Sequence, residues 1–148
     1  MILIRKFEKD DLPQILNIER VSFKFPYDYF TFYYFFVKEP DGFYVAENGD
    51  SGIVGYIITY IRGVKGIIVS IAIKPEFKRK NIGSELLKEG LRCLFKKVKE
   101  VELQVRLENK VAIIFYKKFG FKEVEQICNY YQDGEDALLM SKFVNDQP

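Results

Sequence analysis

The 148-residue sequence contains no histidine and no tryptophan, and it contains only two cysteines. Without histidine there can be no Ser-His or Cys-His catalytic pair and no His-ligated zinc. Cys93 and Cys128 are too few for a site built from four thiolates, and we expect both to be buried, reduced side chains. The sequence therefore predicts a protein without a bound metal.

Long apolar runs and an excess of one charge are also missing. No apolar run reaches about 18 residues, so we expect no membrane-spanning segment. Lys and Arg number 23 against 21 Asp and Glu, and this balance gives no argument for a nucleic-acid partner. Residues 1–12 are too charged for a signal peptide, so a cytoplasmic location is expected.

The residues that are present suit a single folded domain over residues 1–148. Apolar residues make up 48% and charged residues 30% of the chain, which is typical of a globular protein. Short β-type runs and amphipathic stretches predict the order β-α-α-β-β-β-α-β-α-β-β. This order predicts an α+β fold around one mixed, mostly antiparallel sheet of about seven strands with four helices.

One segment runs from a predicted buried strand through a basic loop into a helix. The strand ends with Ile71, Ala72 and Ile73, and the loop and first helical turn comprise Lys78, Arg79, Lys80, Asn81, Ile82, Gly83 and Ser84. Backbone N–H groups at a helix start, together with the helix dipole and nearby cations, attract anions. The segment predicts a pyrophosphate cradle, and the alternative is an ordinary connection with a solvated basic turn.

A second segment, residues 109–121, begins with Asn109 and continues as a helix that stops at Gly120. Tyr116 lies on the apolar stripe of this helix, where its hydroxyl needs a partner. Taken alone, such a tyrosine is either a core residue or a catalytic one.

Together these segments resemble the acetyl-CoA loop and the Asn-x-x-Ala-x-x-x-Tyr-x-x-x-Gly-Phe motif of the GNAT superfamily of N-acetyltransferases. Residues 18–27 and 129–140 are similar to a loop and a hairpin of its RimI-like group, the protein N-terminal acetyltransferases. The likeness runs over nearly all of residues 1–143. It implies the GNAT fold with helices on both faces of the sheet, acetyl-CoA as co-substrate, and a protein N-terminus as partner, with ribosomal proteins among the candidates.

The resemblance also implies a role for each matching residue. The backbone of residues 71–73 would face the thioester, beside a splayed strand that leaves N–H donors for its carbonyl. The loop over residues 78–84 would wrap the pyrophosphate, and Asn109 would contact the cofactor. Tyr116 would protonate the departing thiolate. The slot for the substrate's first residues would be formed by Phe25, Pro26, Tyr27, Tyr130 and Tyr131.

Two positions depart from the family pattern. Asn81 stands where the loop usually has its first glycine, and we expect the cradle to survive because Asn visits left-handed backbone angles more readily than most residues. Gln104 stands where the bacterial RimI-like enzymes carry a glutamate general base. An amide cannot accept the proton, so the base must be sought elsewhere.

Three sources of a base remain open. Glu19 occupies an otherwise apolar helix stripe, which predicts an inward carboxylate beside the slot; alternatively it pairs with a cation such as Arg106 or ends its helix. Glu102 shares the strand face of Gln104 about 7 Å away. A water held by Gln104 and the tyrosines would need no ionisable base.

The missing glutamate favours an easily deprotonated substrate. An α-amino group has a pKa of about 7.7–8.0 and a lysine about 10.4, so loss of a strong base harms α-amine acetylation less. We therefore predict an N-terminal α-acetyltransferase that works by direct attack in a ternary complex. The alternatives are acetylation of lysine side chains or small amines, and a non-catalytic acyl-CoA-binding module.

Overall fold

The polypeptide forms seven strands and four helices within residues 1–146, the part of the chain that the computed structural model describes. The strands are β1 (Ile2–Lys6), β2 (Phe43–Asn48), β3 (Gly52–Arg62), β4 (Lys65–Ile73), β5 (Glu100–Arg106), β6 (Lys122–Ile127) and β7 (Ala137–Phe143). The helices are α1 (Leu12–Ser22), α2 (Tyr29–Lys38), α3 (Ile82–Leu94) and α4 (Lys110–Lys118). The predicted order of elements is confirmed, and residues 147–148 of the predicted domain lie outside the described part.

All seven strands belong to one sheet with the order β1-β2-β3-β4-β5-β7-β6. The first four strands pair antiparallel because only short connections separate β2, β3 and β4. β5 pairs parallel to β4, and α3 supplies the crossover between them. β7 returns antiparallel between β5 and β6. The predicted mixed, mostly antiparallel sheet is confirmed.

β4 and β5 pair over only three residue pairs, from Lys65↔Glu100 to Ile67↔Glu102. Beyond Ile67, β4 remains paired with β3, while β5 remains paired with β7 along its whole length. The two strands therefore splay apart, as the resemblance implied. No strand of the described chain fills this gap, which leaves backbone groups of residues 68–73 facing an open wedge.

Two helices cover each face of the sheet, as expected. Leu12, Ile15 and Ile18 of α1 and Phe32 of α2 pack on one face with residues of β2 and β3. The other face is covered by α3 and α4, whose buried residues include Leu86, Leu87, Leu94, Ile113 and Tyr116. The longest helix within residues 1–146 has 13 residues, and none is long and apolar enough to cross a membrane.

The expectation that both cysteines are buried is wrong. Cys93 is half-buried, and its thiol donates to the carbonyl of Asp41. Cys128 is exposed because β6 ends at Ile127 and the chain turns at Asn129, whose φ is 52°. β6 is an edge strand whose residues 122–126 are exposed as well, so Cys128 continues a poorly covered segment.

Candidate active site

The loop before α3 presents free backbone donors at the mouth of the gap. The N–H groups of residues 81–84 have no backbone acceptor within the described chain, and the next one, of Glu85, donates to Asn81. Arg79 and Asn81 both adopt a left-handed backbone with φ of 63°. The predicted conformation of Asn81 is therefore confirmed. Alternation of left- and right-handed residues curls successive N–H groups into an anion-binding concavity.

We call residues 78–84 the cradle, and three of its own side chains are cations. The side chains of Lys78, Arg79 and Lys80 are exposed, and the Lys80 ammonium lies 5.4 Å from the ring centre of Phe77. A hollow of about 750 Å³ adjoins the cradle at Asn81 and Ser84, and its lining has three lysines, Lys88, Lys118 and Lys142, beside Glu85 and Asp146. Free donors, a helix N-terminus and several cations together suit a ligand with more than one phosphate.

Gly83 lies in the first turn of α3 between the end of β4 and α4. A Cβ atom placed there would sit 3.6 Å from Cζ of Phe115 and 3.9 Å from Cγ1 of Ile73, which are ordinary contacts. The fold itself therefore does not require glycine at this position. A glycine here leaves room for something that approaches the α3 backbone closely.

Asn109 and Tyr116 are placed by α4. The Asn109 side chain caps the helix by accepting from the N–H of Ala112 at 3.2 Å, so its amide N–H₂ stays free for a ligand. The Tyr116 ring is buried edge-on against Phe115 and Phe121. The Tyr116 hydroxyl has no hydrogen-bond partner within residues 1–146. Every fully buried side-chain oxygen in this part of the chain does have a partner, so the Tyr116 hydroxyl must be accessible from the surface.

The state of the Tyr116 hydroxyl follows from its surroundings. Burial raises the pKa of Tyr116 well above its ordinary value, and the nearby Tyr131 raises it further. The phenol is therefore neutral over the physiological range and holds a proton that it can donate. Phe115, whose ring contacts that of Tyr116, lies beside Gly83 of the loop before α3, and Tyr116 itself lies near Tyr131.

Two segments meet on the other side of the gap, the side toward α1 and α2: the slot loop, residues 23–28 between α1 and α2, and the closing hairpin, residues 128–136 between β6 and β7. Lys24 of the loop forms an ion pair with Asp133 of the hairpin at 2.9 Å. Arg106 at the end of β5 also pairs with Asp133, at 3.1 Å. Its guanidinium carbon lies 4.2 Å from the ring centre of Tyr131 and 5.9 Å from that of Phe25. Arg106 thus bridges both walls.

The predicted slot tyrosines converge on Gln104. The Tyr130 hydroxyl donates to Oε1 of Gln104 at 2.6 Å, and the rings of Tyr130 and Tyr131 meet edge-on at 5.0 Å. Burial raises the pKa of Tyr131 to about 12, with a further contribution from Tyr130. Burial, and then the charges of Glu19 and Tyr130, raise the pKa of Tyr27. Pro26 lies exposed in the same slot loop.

Glu19 is the buried carboxylate beside the slot. It is 2% exposed, and its Oε1 accepts from the hydroxyls of Tyr56 and Ser70, while Oε2 accepts from the N–H of Tyr27 at 2.9 Å. Burial raises the pKa of Glu19, against the lowering effect of its donors. The predicted inward orientation is confirmed. Arg106 pairs with Asp133 instead, and α1 continues past Glu19 to Ser22.

Glu102 has other partners. Its carboxylate lies 3.2 Å from Nζ of Lys65 and 3.9 Å from the guanidinium of Arg62. It also sits opposite Ile67, where β4 and β5 are still paired. Glu102 is therefore held by cations at the closed end of the gap.

Sequence reasoning missed Tyr56, Ser70, Lys24 and Asp133. Ser70 carried a usable signal because it is the one polar residue in an otherwise apolar run over residues 67–73. Lys24 and Asp133 carried none, since a surface charge gains a role only from its partner. Within residues 1–146, no group of three or more Cys, Asp or Glu side chains is placed to hold a metal ion.

Comparison with known proteins places this arrangement in context. Residues 10–121 match the model of the Acetyltransferase (GNAT) family. An N-alpha-acetyltransferase of Sulfurisphaera tokodaii is 37% identical over 152 residues, covering 93% of this chain and 90% of that protein. The ribosomal protein bS18-alanine N-acetyltransferase of Escherichia coli is 32% identical over 145 residues, covering 95% and 97%.

Solved structures share the architecture. Ard1 from Thermoplasma volcanium superposes with a TM-score of 0.92 at 28% identity, covering 98% of this chain and 99% of that one. Arabidopsis thaliana Naa50, in complex with the bisubstrate analogue CoA-Ac-MVNAL, superposes with a TM-score of 0.85 at 27% identity, covering 95% and 97%.

The ion pairs at Asp133 generate a testable prediction. Asp133→Asn removes the charge that joins slot loop and closing hairpin, so amide hydrogen exchange in residues 23–28 and 128–136 should quicken roughly 3- to 10-fold. Because the Lys24 side chain is exposed, higher salt should weaken its pair with Asp133 and act on the wild type in the same direction. The control is Glu123→Gln, which breaks the exposed Lys117–Glu123 pair elsewhere. Unchanged exchange in Asp133→Asn would show that the walls are held by packing alone.

Proposed function

This chain belongs to the Acetyltransferase (GNAT) family and is an acyltransferase, and from that premise we propose that it acetylates the N-terminal α-amine of proteins with acetyl-CoA. One observation carries the proposal. The splayed strands β4 and β5 open a gap with an anion cradle on one side and a tyrosine-lined slot on the other, and Tyr116 lies beside Phe115, which faces the cradle, and near Tyr131 of the slot. The pattern of relatives supports it, since they include enzymes named N-alpha-acetyltransferase.

The cradle side fits acetyl-CoA. The free N–H groups of residues 81–84, together with the cations of the loop, would hold the pyrophosphate, and the free amide of Asn109 would contact the cofactor. Backbone donors of residues 71–73, left unpaired on the gap side, would face the thioester carbonyl and stabilise the negative charge that develops on its oxygen. Acetyl-CoA supplies the activated acetyl group.

The slot side fits the first residues of a peptide. Phe25, Pro26 and Tyr27 form one wall, and Tyr130 and Tyr131 form the other. The pairs that Asp133 makes with Lys24 and Arg106 join these walls. A slot tied across its mouth admits a chain end more readily than a long lysine from a folded surface. Partners are therefore protein N-termini, and the relative named for ribosomal protein bS18 adds ribosomal proteins to the candidates.

The reaction needs one proton removed and one delivered. The amine nitrogen attacks the thioester carbon, the C–N bond forms, the C–S bond breaks, and Tyr116 gives its proton to the departing thiolate. The amine proton passes to water beside Gln104 and the slot tyrosines, with Glu19 as the nearby carboxylate. Oε2 of Glu19 accepts only the Tyr27 N–H within the described chain, so one lone pair remains.

The decisive experiment offers the protein and acetyl-CoA matched peptides. Each pair has the same sequence with one internal lysine, and one member has a blocked N-terminus. We expect the peptide with a free N-terminus to be acetylated at its α-amine and the blocked peptide to remain unmodified. Mass spectrometry locates the acetyl group. Acetylation at the lysine of both members would mean a lysine acetyltransferase, and binding of acetyl-CoA without turnover would mean a non-catalytic module.

Replacement of Gly83 tests the cradle. In Gly83→Val the added Cβ meets only ordinary contacts, and the two methyl groups beyond it would stand against the pyrophosphate. Acetyl-CoA at about 100 times its Kd should stabilise the wild type by about 2.7 kcal/mol, and the variant clearly less, in thermal-shift measurements. Gly49→Val, where no atom lies within 4 Å of a Cβ, is the control. An equal shift in Gly83→Val would remove the cradle assignment.

Replacement of Tyr116 tests the general acid. Tyr116→Phe keeps the buried ring and removes the proton, so kcat should fall roughly 10- to 1000-fold while acetyl-CoA still binds. Tyr44→Phe, a tyrosine buried to the same extent in the same core, is the matched control and should keep its kcat. If both variants keep full kcat, Tyr116 is a core residue only.

A double-mutant cycle tests the base. Glu19→Gln should lower kcat/KM more in the wild type than in a Gln104→Glu background, where a new carboxylate can accept the proton. Burial raises the pKa of Glu19, so its ionised form is lost as pH falls through that raised value. Position 104 is exposed, so a glutamate there should stay ionised to a lower pH than Glu19 does. Gln104→Glu should therefore retain more activity at acid pH.

The cycle is measured as kcat/KM over roughly pH 6–9. Additive losses at every pH would show that Glu19 takes no share in proton removal and only shapes the slot.

A further inference from the structure

Two buried hydroxyls behind the slot have no place in the chemistry described above. Tyr56 of β3 is fully buried and Ser70 of β4 is 8% exposed, and their oxygens lie 3.2 Å apart. Both donate to the same oxygen, Oε1 of Glu19. They stand on the two strands that lie under α1, in the face of the sheet that α1 and α2 cover.

The opposite oxygen of that carboxylate reaches the slot. Oε2 of Glu19 accepts the N–H of Tyr27, a residue that forms one wall. A continuous series of hydrogen bonds therefore runs from the sheet interior, through Glu19, to the backbone of the slot loop. The loop is otherwise exposed, since Phe23, Phe25 and Tyr27 each keep about two-fifths of their surface accessible.

The chemistry of a buried carboxylate gives the two hydroxyls their importance. A carboxylate removed from water needs hydrogen-bond donors to remain in place, and one that loses donors turns toward others or takes up a proton. Two hydroxyls on rigid strands fix Oε1 and so direct Oε2 outward at Tyr27. Loss of either hydroxyl would leave Oε1 with a single donor, so the carboxylate that holds the loop would be less firmly oriented.

We propose that Tyr56 and Ser70 are positioning residues that hold Glu19, and through it the slot loop, at the separation from the closing hairpin that fits a peptide N-terminus. The inference rests on the proposed function, because it names what sets the width of the peptide slot. It differs from a role in proton removal, since both hydroxyls serve as donors to Oε1 of Glu19.

The experiment compares Tyr56→Phe and Ser70→Ala with a matched control. Ser141→Ala also removes a buried serine hydroxyl that donates to a glutamate, Oε2 of Glu100 at 2.7 Å, on β7 and away from the slot. All three variants should lose some thermal stability. Only Tyr56→Phe and Ser70→Ala should raise KM for the peptide, by roughly 3- to 10-fold, with KM for acetyl-CoA unchanged.

Two further readouts separate positioning from general destabilisation. In a Glu19→Gln background, Tyr56→Phe and Ser70→Ala should add little to the change in peptide KM, because they act through the carboxylate. Amide exchange in residues 23–28 should quicken in both variants and not in Ser141→Ala. If peptide KM rises equally in Ser141→Ala, or stays unchanged in Tyr56→Phe and Ser70→Ala, the inference is overturned.

Failure of the proposed function would look different. A wild type that acetylates no free α-amine would refute the function, and the exchange measurement would still report on the loop. If the wild type is active, and Tyr56→Phe and Ser70→Ala show quickened exchange with an unchanged KM for the peptide, the proposed positioning of substrate is overturned.

Discussion

The divergence of β4 from β5 is the constraint on which the rest of the structure depends. β5 is paired with β7 along its full length and β4 with β3, so after Ile67 neither strand has a reason to follow the other. Unpaired backbone N–H and C=O groups in a sheet interior are costly unless something satisfies them. The gap between β4 and β5 is therefore a preformed binding site, and the cradle, Tyr116 and the slot are arranged around it.

Charge is distributed along this wedge in a definite order. Cations and free N–H groups stand at the cradle, neutral tyrosines with raised pKa values line the middle and the slot, and one buried carboxylate lies behind the slot loop. The pKa of Asp133 is lowered to about 2, first by its hydrogen bond with Lys24, so the pairs across the slot persist at any physiological pH. Such an order suits an anionic donor on the cradle side and a neutral amine in the slot.

The slot also shows how one buried group can have two duties. Glu19 carries a raised pKa, which suits a proton acceptor, and it holds the Tyr27 N–H, which suits a structural anchor. Burial produces both, because a carboxylate without water must take its hydrogen bonds from the protein. Replacement of Glu19 therefore changes both the shape of the slot and its acid–base chemistry. Separate measurements of peptide binding and of turnover distinguish these two effects.

The sequence by itself determined the element order, the mixed sheet, the cradle with its left-handed Asn81 and the inward direction of Glu19. The element order and the inward direction of Glu19 are local properties, fixed by hydrophobic periodicity, turn residues and the position of one glutamate on a helix stripe. The cradle and the conformation of Asn81 followed from the likeness of residues 78–84 to the family's loop. The tertiary structure alone decided the partners. In the folded chain Glu19 accepts hydrogen bonds from Tyr56 and Ser70. Arg106 forms an ion pair with Asp133, Glu102 forms one with Lys65, and Cys128 is exposed. Pairing between residues distant in sequence depends on which strands are neighbours and where they separate, and periodicity does not record that.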